Sequence, residues 1–111
     1  MKFFVTNDER KGTCYHEFFS GSWDEQSFWN DESIYLDDDI LIMNLGFYEA
    51  LKNAVPTYDR YHGTAFSMED WENVRKYIPD SDITSLELYA EADVWVQENF
   101  KRENRFTIIG I

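Results

Sequence analysis

The densest run of side chains capable of chemistry is Gly21-Ser22-Trp23-Asp24-Glu25-Gln26-Ser27-Phe28-Trp29-Asn30-Asp31-Glu32. It interleaves Trp23 and Trp29 with the acids Asp24, Glu25, Asp31 and Glu32. Aromatic rings supply contact area, and carboxylates accept charge-assisted bonds from Arg and Lys, so the segment reads as an interface. The competing reading makes Trp23, Phe28 and Trp29 core or lid residues under a loop. Tyr58, Asp59 and Tyr61 repeat the same chemistry in the turn at 56–63.

Asp37-Asp38-Asp39 invites a calcium or magnesium reading. A calcium loop needs alternating oxygen ligands, a Gly turn and a late Glu. Here Ile40, Leu41 and Ile42 follow directly, and the next Gly is Gly46. The run therefore reads as a solvated charged turn, or as acceptors for a partner's Lys and Arg. Cys14 and His16 stand two apart, and His62 is distant. No second pair completes a zinc pattern, and no motif orients a thiol nucleophile. A glycosidase would need two positioned carboxylates with aromatic platforms, and nothing in the chain positions such a pair. No catalytic residue, metal or cofactor is expected from these patterns.

Charge is unevenly placed. The chain has 111 residues, with 22 Asp and Glu against 10 Lys and Arg, a net charge of −12. Residues 12–51 contain no Lys or Arg, yet carry Glu17, Asp24, Glu25, Asp31, Glu32, Asp37, Asp38, Asp39 and Glu49. Such acidity argues against direct nucleic-acid binding, which needs a basic footprint, and against docking on anionic membranes. It suits a basic protein partner. An aromatic content of 18% argues against disorder. The length favours a single domain over 1–111. Cys14 is the only cysteine, and the opening apolar run is three residues, so a reducing, cytoplasmic setting is expected.

The elements that must position these residues follow from periodicity. Residues 2–6 read as a strand, with 13–19 pairing to it as a hairpin through the turn at 7–12. Residues 20–33 read as an irregular loop, with room for a helical turn at 23–29. Residues 33–36 and 40–44 are strand-like, separated by the aspartate corner. Residues 45–55 place Phe47, Ala50, Leu51 and Ala54 on one helical face, and Pro56 ends that helix. Ser67 and Asp70 form an approximate capping box for a second helix, with Phe66 placed to staple against Trp71. Thr84-Ser85-Leu86-Glu87 opens a third, whose face is Tyr89, Ala92, Val96 and Phe100. Residues 106–111 form a closing strand. The order predicts an α+β fold, a small antiparallel or mixed sheet packed against about three helices. A closing strand with an open edge would also permit a weak homodimer.

Phe66-Ser67-Met68-Glu69-Asp70-Trp71 and the terminal Phe106-Thr107-Ile108-Ile109-Gly110-Ile111 resemble segments of small immunity proteins that accompany bacterial polymorphic toxins, including those of contact-dependent growth inhibition. The resemblance covers the last half of the chain. It implies an inhibitor in the cytoplasm that binds one cognate toxin, often a nuclease, and it supplies no catalytic residues. The expectation is thus a non-enzymatic immunity protein neutralising a basic toxin. Its partner-binding residues would be Trp23, Asp24, Glu25, Trp29, Asp31, Glu32, Asp37, Asp38, Asp39, Tyr58, Asp59 and Tyr61. The alternatives are a phage-type acidic DNA mimic acting against restriction, and a small carbohydrate-directed binding module or enzyme.

Overall fold

A computed structural model describes residues 1–111. The elements are β1 (Phe4–Val5), a 3-10 turn (Asn7–Glu9), β2 (Tyr15–Ser20), β3 (Ile34–Asp37), α1 (Asp38–Met43), α2 (Leu45–Ala54), β4 (Gly63–Ser67), α3 (Met68–Tyr77), α4 (Ile83–Phe100) and β5 (Arg105–Ile109). The strands form one antiparallel sheet in the order β1-β3-β2-β5-β4. The fold is α+β, with four helices where the sequence implied about three.

Residues directly opposite one another on paired strands share a face. Phe18 stands opposite both Ile34 and Ile108, and Phe66 stands opposite Phe106. This face is buried with Leu41, Phe47, Leu51, Trp71, Val74, Leu88, Ala92 and Val96 from the helices. Phe106 is sandwiched between Phe18 and Phe66, with centroids 5.7 and 5.4 Å away. Trp71 stacks on Tyr89 at 4.4 Å. Burial of each large apolar side chain contributes about 2 kcal/mol, so this aromatic layer dominates the core.

Local signals explain most helix starts. Ser67 Oγ accepts the Asp70 N–H at 3.1 Å and Asp70 Oδ2 accepts the Ser67 N–H at 2.9 Å, the reciprocal cap that the sequence announced. In α4 the cap is Asp82, which accepts the Ser85 N–H at 3.2 Å, so the helix begins ahead of the box expected at Thr84. Tyr89, Ala92 and Val96 are buried along one face, as their spacing requires.

Four strand expectations are corrected. The hairpin between residues 2–6 and 13–19 does not form, because β3 lies between β1 and β2. The N–H groups of Phe3 and Phe4 donate instead to Glu91 Oε1 on α4, at 2.9 and 2.7 Å. Residues 40–43 are helical in place of extended, and Asn44 ends the helix. Asp37 caps α1 by accepting the Asp39 N–H at 2.8 Å, and Leu41 is drawn into the core. Residues 64–66 lie in a strand that the sequence reading omitted. The closing strand has no open edge, since β5 is paired to β2 on one side and β4 on the other. That removes it as a route to subunit pairing. No helix is long and apolar enough to cross a membrane.

Candidate interaction site

The second sheet face, carrying Tyr35, Glu17, Thr107, Ile109 and Gly63, is covered by the segment at 21–33. This segment contains no helix or strand. It is nevertheless tied down along its length. Thr107 Oγ1 donates to the Gly21 carbonyl at 2.9 Å, and the Tyr35 hydroxyl donates to the Asn30 carbonyl at 2.6 Å. The Trp95 indole N–H donates to the Glu32 carbonyl at 2.9 Å.

Glu17 is the central fastener. Its carboxylate is 1% exposed. Oε1 accepts the Trp29 N–H at 2.8 Å, while Oε2 accepts the Asn30 N–H at 3.1 Å and the Ser33 hydroxyl at 2.6 Å. Trp29 has φ +60°, in the left-handed region that costs a bulky residue about 1–2 kcal/mol. Charge-assisted bonds from two successive amides to Glu17 offset that cost. The Arg10 guanidinium lies 3.7 Å from the Trp29 ring centre and fixes its other flank. The lid reading of Trp29 therefore describes its position, and the anchor that holds it, Glu17, was not singled out in the sequence.

Trp23 closes the other side. Its indole N–H donates to the Ser27 carbonyl at 2.8 Å, and its ring meets Phe28 edge-on at 5.3 Å. It lies so close over β4 that a Cβ built on Gly63 would stand 2.5 Å from Trp23 Cε3. Asp24 turns the chain between them by accepting the Gln26 and Ser27 N–H groups and the Ser27 hydroxyl. These bonds, led by the Ser27 hydroxyl, hold its carboxyl down at about 2. Glu25 follows at φ +64° and is exposed.

A groove of about 430 Å³ opens where this segment meets the ends of β4 and β5. Trp23, Glu25, Phe28, Tyr61 and His62 line it, over Gly63 and the chain past Ile109. Asp59 stands at its side and accepts the Tyr61 N–H at 2.8 Å. Trp23, Glu25 and Tyr61 thus meet at one end of the sheet with Asp59 beside them, while the Asp24 carboxylate is turned onto its own loop. Asp37 and Asp39 lie at that same end, three strands away from β4, or about 14 Å at ordinary strand spacing.

The remaining residues do not join them. Asp31 is bound by the Asn7 amide at 2.7 Å, and Asp31 and Glu32 lie toward the opposite end of the sheet, just before β3. Asp38 and Tyr58 are inside the protein, at 4% and 6% exposure. Neither is presented to a partner. Arg60 clasps Asp38 with Nε at 2.9 Å from Oδ1 and Nη2 at 2.6 Å from Oδ2. His16 Nε2 lies 2.7 Å from Asp38 Oδ1. The Arg60 bonds pull the Asp38 carboxyl below the usual carboxylate range. Burial pushes His16 down and the Tyr58 hydroxyl up. The aspartate corner is thus divided: one cap, one buried ion-pair acceptor, one exposed acid.

Four of the ten Lys and Arg pair with acids of the chain. Lys2 pairs with Glu87, Arg60 with Asp38, Arg75 with Asp80, and Lys101 with Glu98. Asp24, Glu25, Asp31, Glu32, Asp37 and Asp39 have no cationic partner. Comparison of the chain with protein-family models, with curated proteins and with solved structures finds no match.

Proposed function

We propose that this protein is a non-enzymatic inhibitor of the immunity type, which binds and neutralises a cognate basic toxin, most simply a nuclease. The observation that carries the reading is the gathering of Trp23, Glu25 and Tyr61 around one groove with Asp59 beside it, the two carboxylates left without Lys or Arg partners. Immobilised aromatics beside unpaired acids present contact area at low entropic cost and a field that accelerates encounter with a cationic surface. Carboxylates there would occupy the Lys and Arg that a nuclease uses for phosphates. The docking surface is the groove end of the sheet with Asp37 and Asp39 as its flank, and it excludes Asp38 and Tyr58.

The DNA-mimic alternative has less support, because the acids of residues 12–51 are divided between two ends of the sheet in place of one extended line. The carbohydrate-directed alternative keeps one supporting feature, the aromatic lining of the same groove.

The test is a growth assay. Where a toxic domain is encoded beside this chain, cells expressing that domain should survive only when the chain is co-expressed. Association of the purified pair should slow by about tenfold or more from low to physiological salt, because exposed charges beyond a Debye length of about 8 Å become screened. Absence of protection would overturn the inhibitor reading, and a rate indifferent to salt would remove its electrostatic part.

A further inference from the structure

We infer that the groove between Trp23 and Tyr61 is a guanidinium-binding site, seating one arginine side chain of the partner. This deepens the inhibitor reading and rests on it for the source of the arginine.

The groove offers a ligand two kinds of contact, ring faces and a carboxylate. Its walls are aromatic: Trp23 is half-buried, while Phe28 and Tyr61 are 50% and 59% exposed. Ring faces carry negative potential and attract cations, Trp most strongly, and a flat guanidinium also stacks on them. The acid in the lining is Glu25, held at φ +64° in a turn that Asp24 fastens. Asp59 lies alongside, through its bond to the Tyr61 N–H. An anion entering here would meet the Glu25 carboxylate, which has no ion-pair partner. An ammonium would gain the charge contact but not the planar stacking.

Arg60, His62 and Arg105 are the basic residues nearest the groove. Arg60 lies 5.4 Å from the Tyr61 ring centre, but its charge is paired through Nε and Nη2 with both oxygens of Asp38. His62 lines the groove and reaches only Asp59, at 3.8 Å. Arg105 lines an adjoining hollow of about 220 Å³ that shares Trp23, Glu25 and Gly63 with the groove, yet it makes no ion pair with Glu25. Glu25 is therefore free to accept from a guanidinium delivered by another molecule.

Size agrees with this occupant. A groove of about 430 Å³ takes a side chain or small ligand, not a folded element. The wall is also built in advance, since Trp23 is fixed by Ser27, Phe28 and the bare backbone of Gly63. Pre-set rings remove the ordering cost that weakens flexible sites.

The experiment titrates the whole protein with N-acetyl-arginine methylamide and follows the four tryptophan indole N–H resonances by NMR. Trp71, sealed in the core, is the internal reference. The Trp23 resonance should move saturably at probe concentrations up to about 100 mM, an affinity range set by one side chain. Glu25→Gln should weaken this response about fivefold, as expected for a partly exposed charge contact. An exposed position makes that variant safe for folding, and an unchanged Trp71 resonance verifies it. A motionless Trp23 resonance would overturn the inference, as would an equal response to N-acetyl-lysine methylamide or to maltotriose. The growth assay separates the two claims. Protection of cells without probe binding sinks the guanidinium site alone, whereas probe binding without protection sinks the inhibitor reading alone.

Discussion

The buried carboxylate of Glu17 holds the backbone N–H of Trp29 at 2.8 Å, joining the centre of the sheet to the segment that covers it. One acid in the middle strand thereby sets the position of the strap on which Trp23, Glu25 and Trp29 are mounted. Replacing it by Gln keeps the shape but puts an NH2 among three donors. Glu17→Gln should lower stability by about 2 kcal/mol, the cost of leaving buried donors unmatched. Denaturant unfolding measures the loss, and amide exchange should accelerate most at Trp29 and Asn30. A change under about 0.5 kcal/mol would show that the strap is held by its side chains instead.

Arg60 tests the second fastening. Its removal leaves Asp38 inside the protein with only His16 beside it. Arg60→Ala should cost about 2–3 kcal/mol, below the range for a fully buried pair because the Arg60 side chain is 24% exposed. Adding Asp38→Asn to Arg60→Ala should recover part of that loss, which a double-mutant cycle reads directly.

Acid should weaken the fold in two stages. Burial depresses His16 below its ordinary 6.5, so the unfolded chain takes up this proton first as pH falls. The stability contributed by neutral His16 is complete above 6.5 and is lost as pH falls below it toward the folded-state value. Its Nδ1 is buried without a partner, so the incoming proton finds no acceptor. Asp38, depressed below its ordinary 3.8 by the Arg60 bonds, adds a second loss on further acidification, below 3.8. Unfolding free energy measured from pH 7.5 to 3 should show both, and His16→Gln should flatten the upper stage alone. An upper stage unchanged in that variant would assign it to another group.

Gly63 reports on the groove wall. Any Cβ there must push the Trp23 ring away from β4. Gly63→Ala should leave the core intact, cost about 1 kcal/mol as strain, and shift Trp23 fluorescence toward a more solvated emission. It should also weaken capture of N-acetyl-arginine methylamide. Full retention of that binding would show that the indole position is irrelevant to the groove.

Much of the framework was legible because it is written locally. The Ser67 and Asp70 cap, the 3.6-residue stripes of α2 and α4, and the apolar closing strand each depend on neighbours within a few residues. The acidic, aromatic character of residues 21–32 was equally plain. Residues 40–42 show where local reading fails. Ile40, Leu41 and Ile42 favour a strand intrinsically, but the capping side chain of Asp37 and the burial of Leu41 select a helix. A run of aspartates before apolar residues is itself a cap signal, and it was available in the sequence.

What the sequence determined by itself was composition and local form: an excess of acid, a loop rich in tryptophan, and the turns and stripes that make helices. Tertiary structure alone decided which acids reach solvent. Asp37, Asp38 and Asp39 are consecutive and chemically identical, yet one caps a helix, one is buried against Arg60 and His16, and one faces water. Their fates differ because burial and ion pairing depend on groups more than twenty residues away in the chain, whose approach is fixed only when the sheet closes.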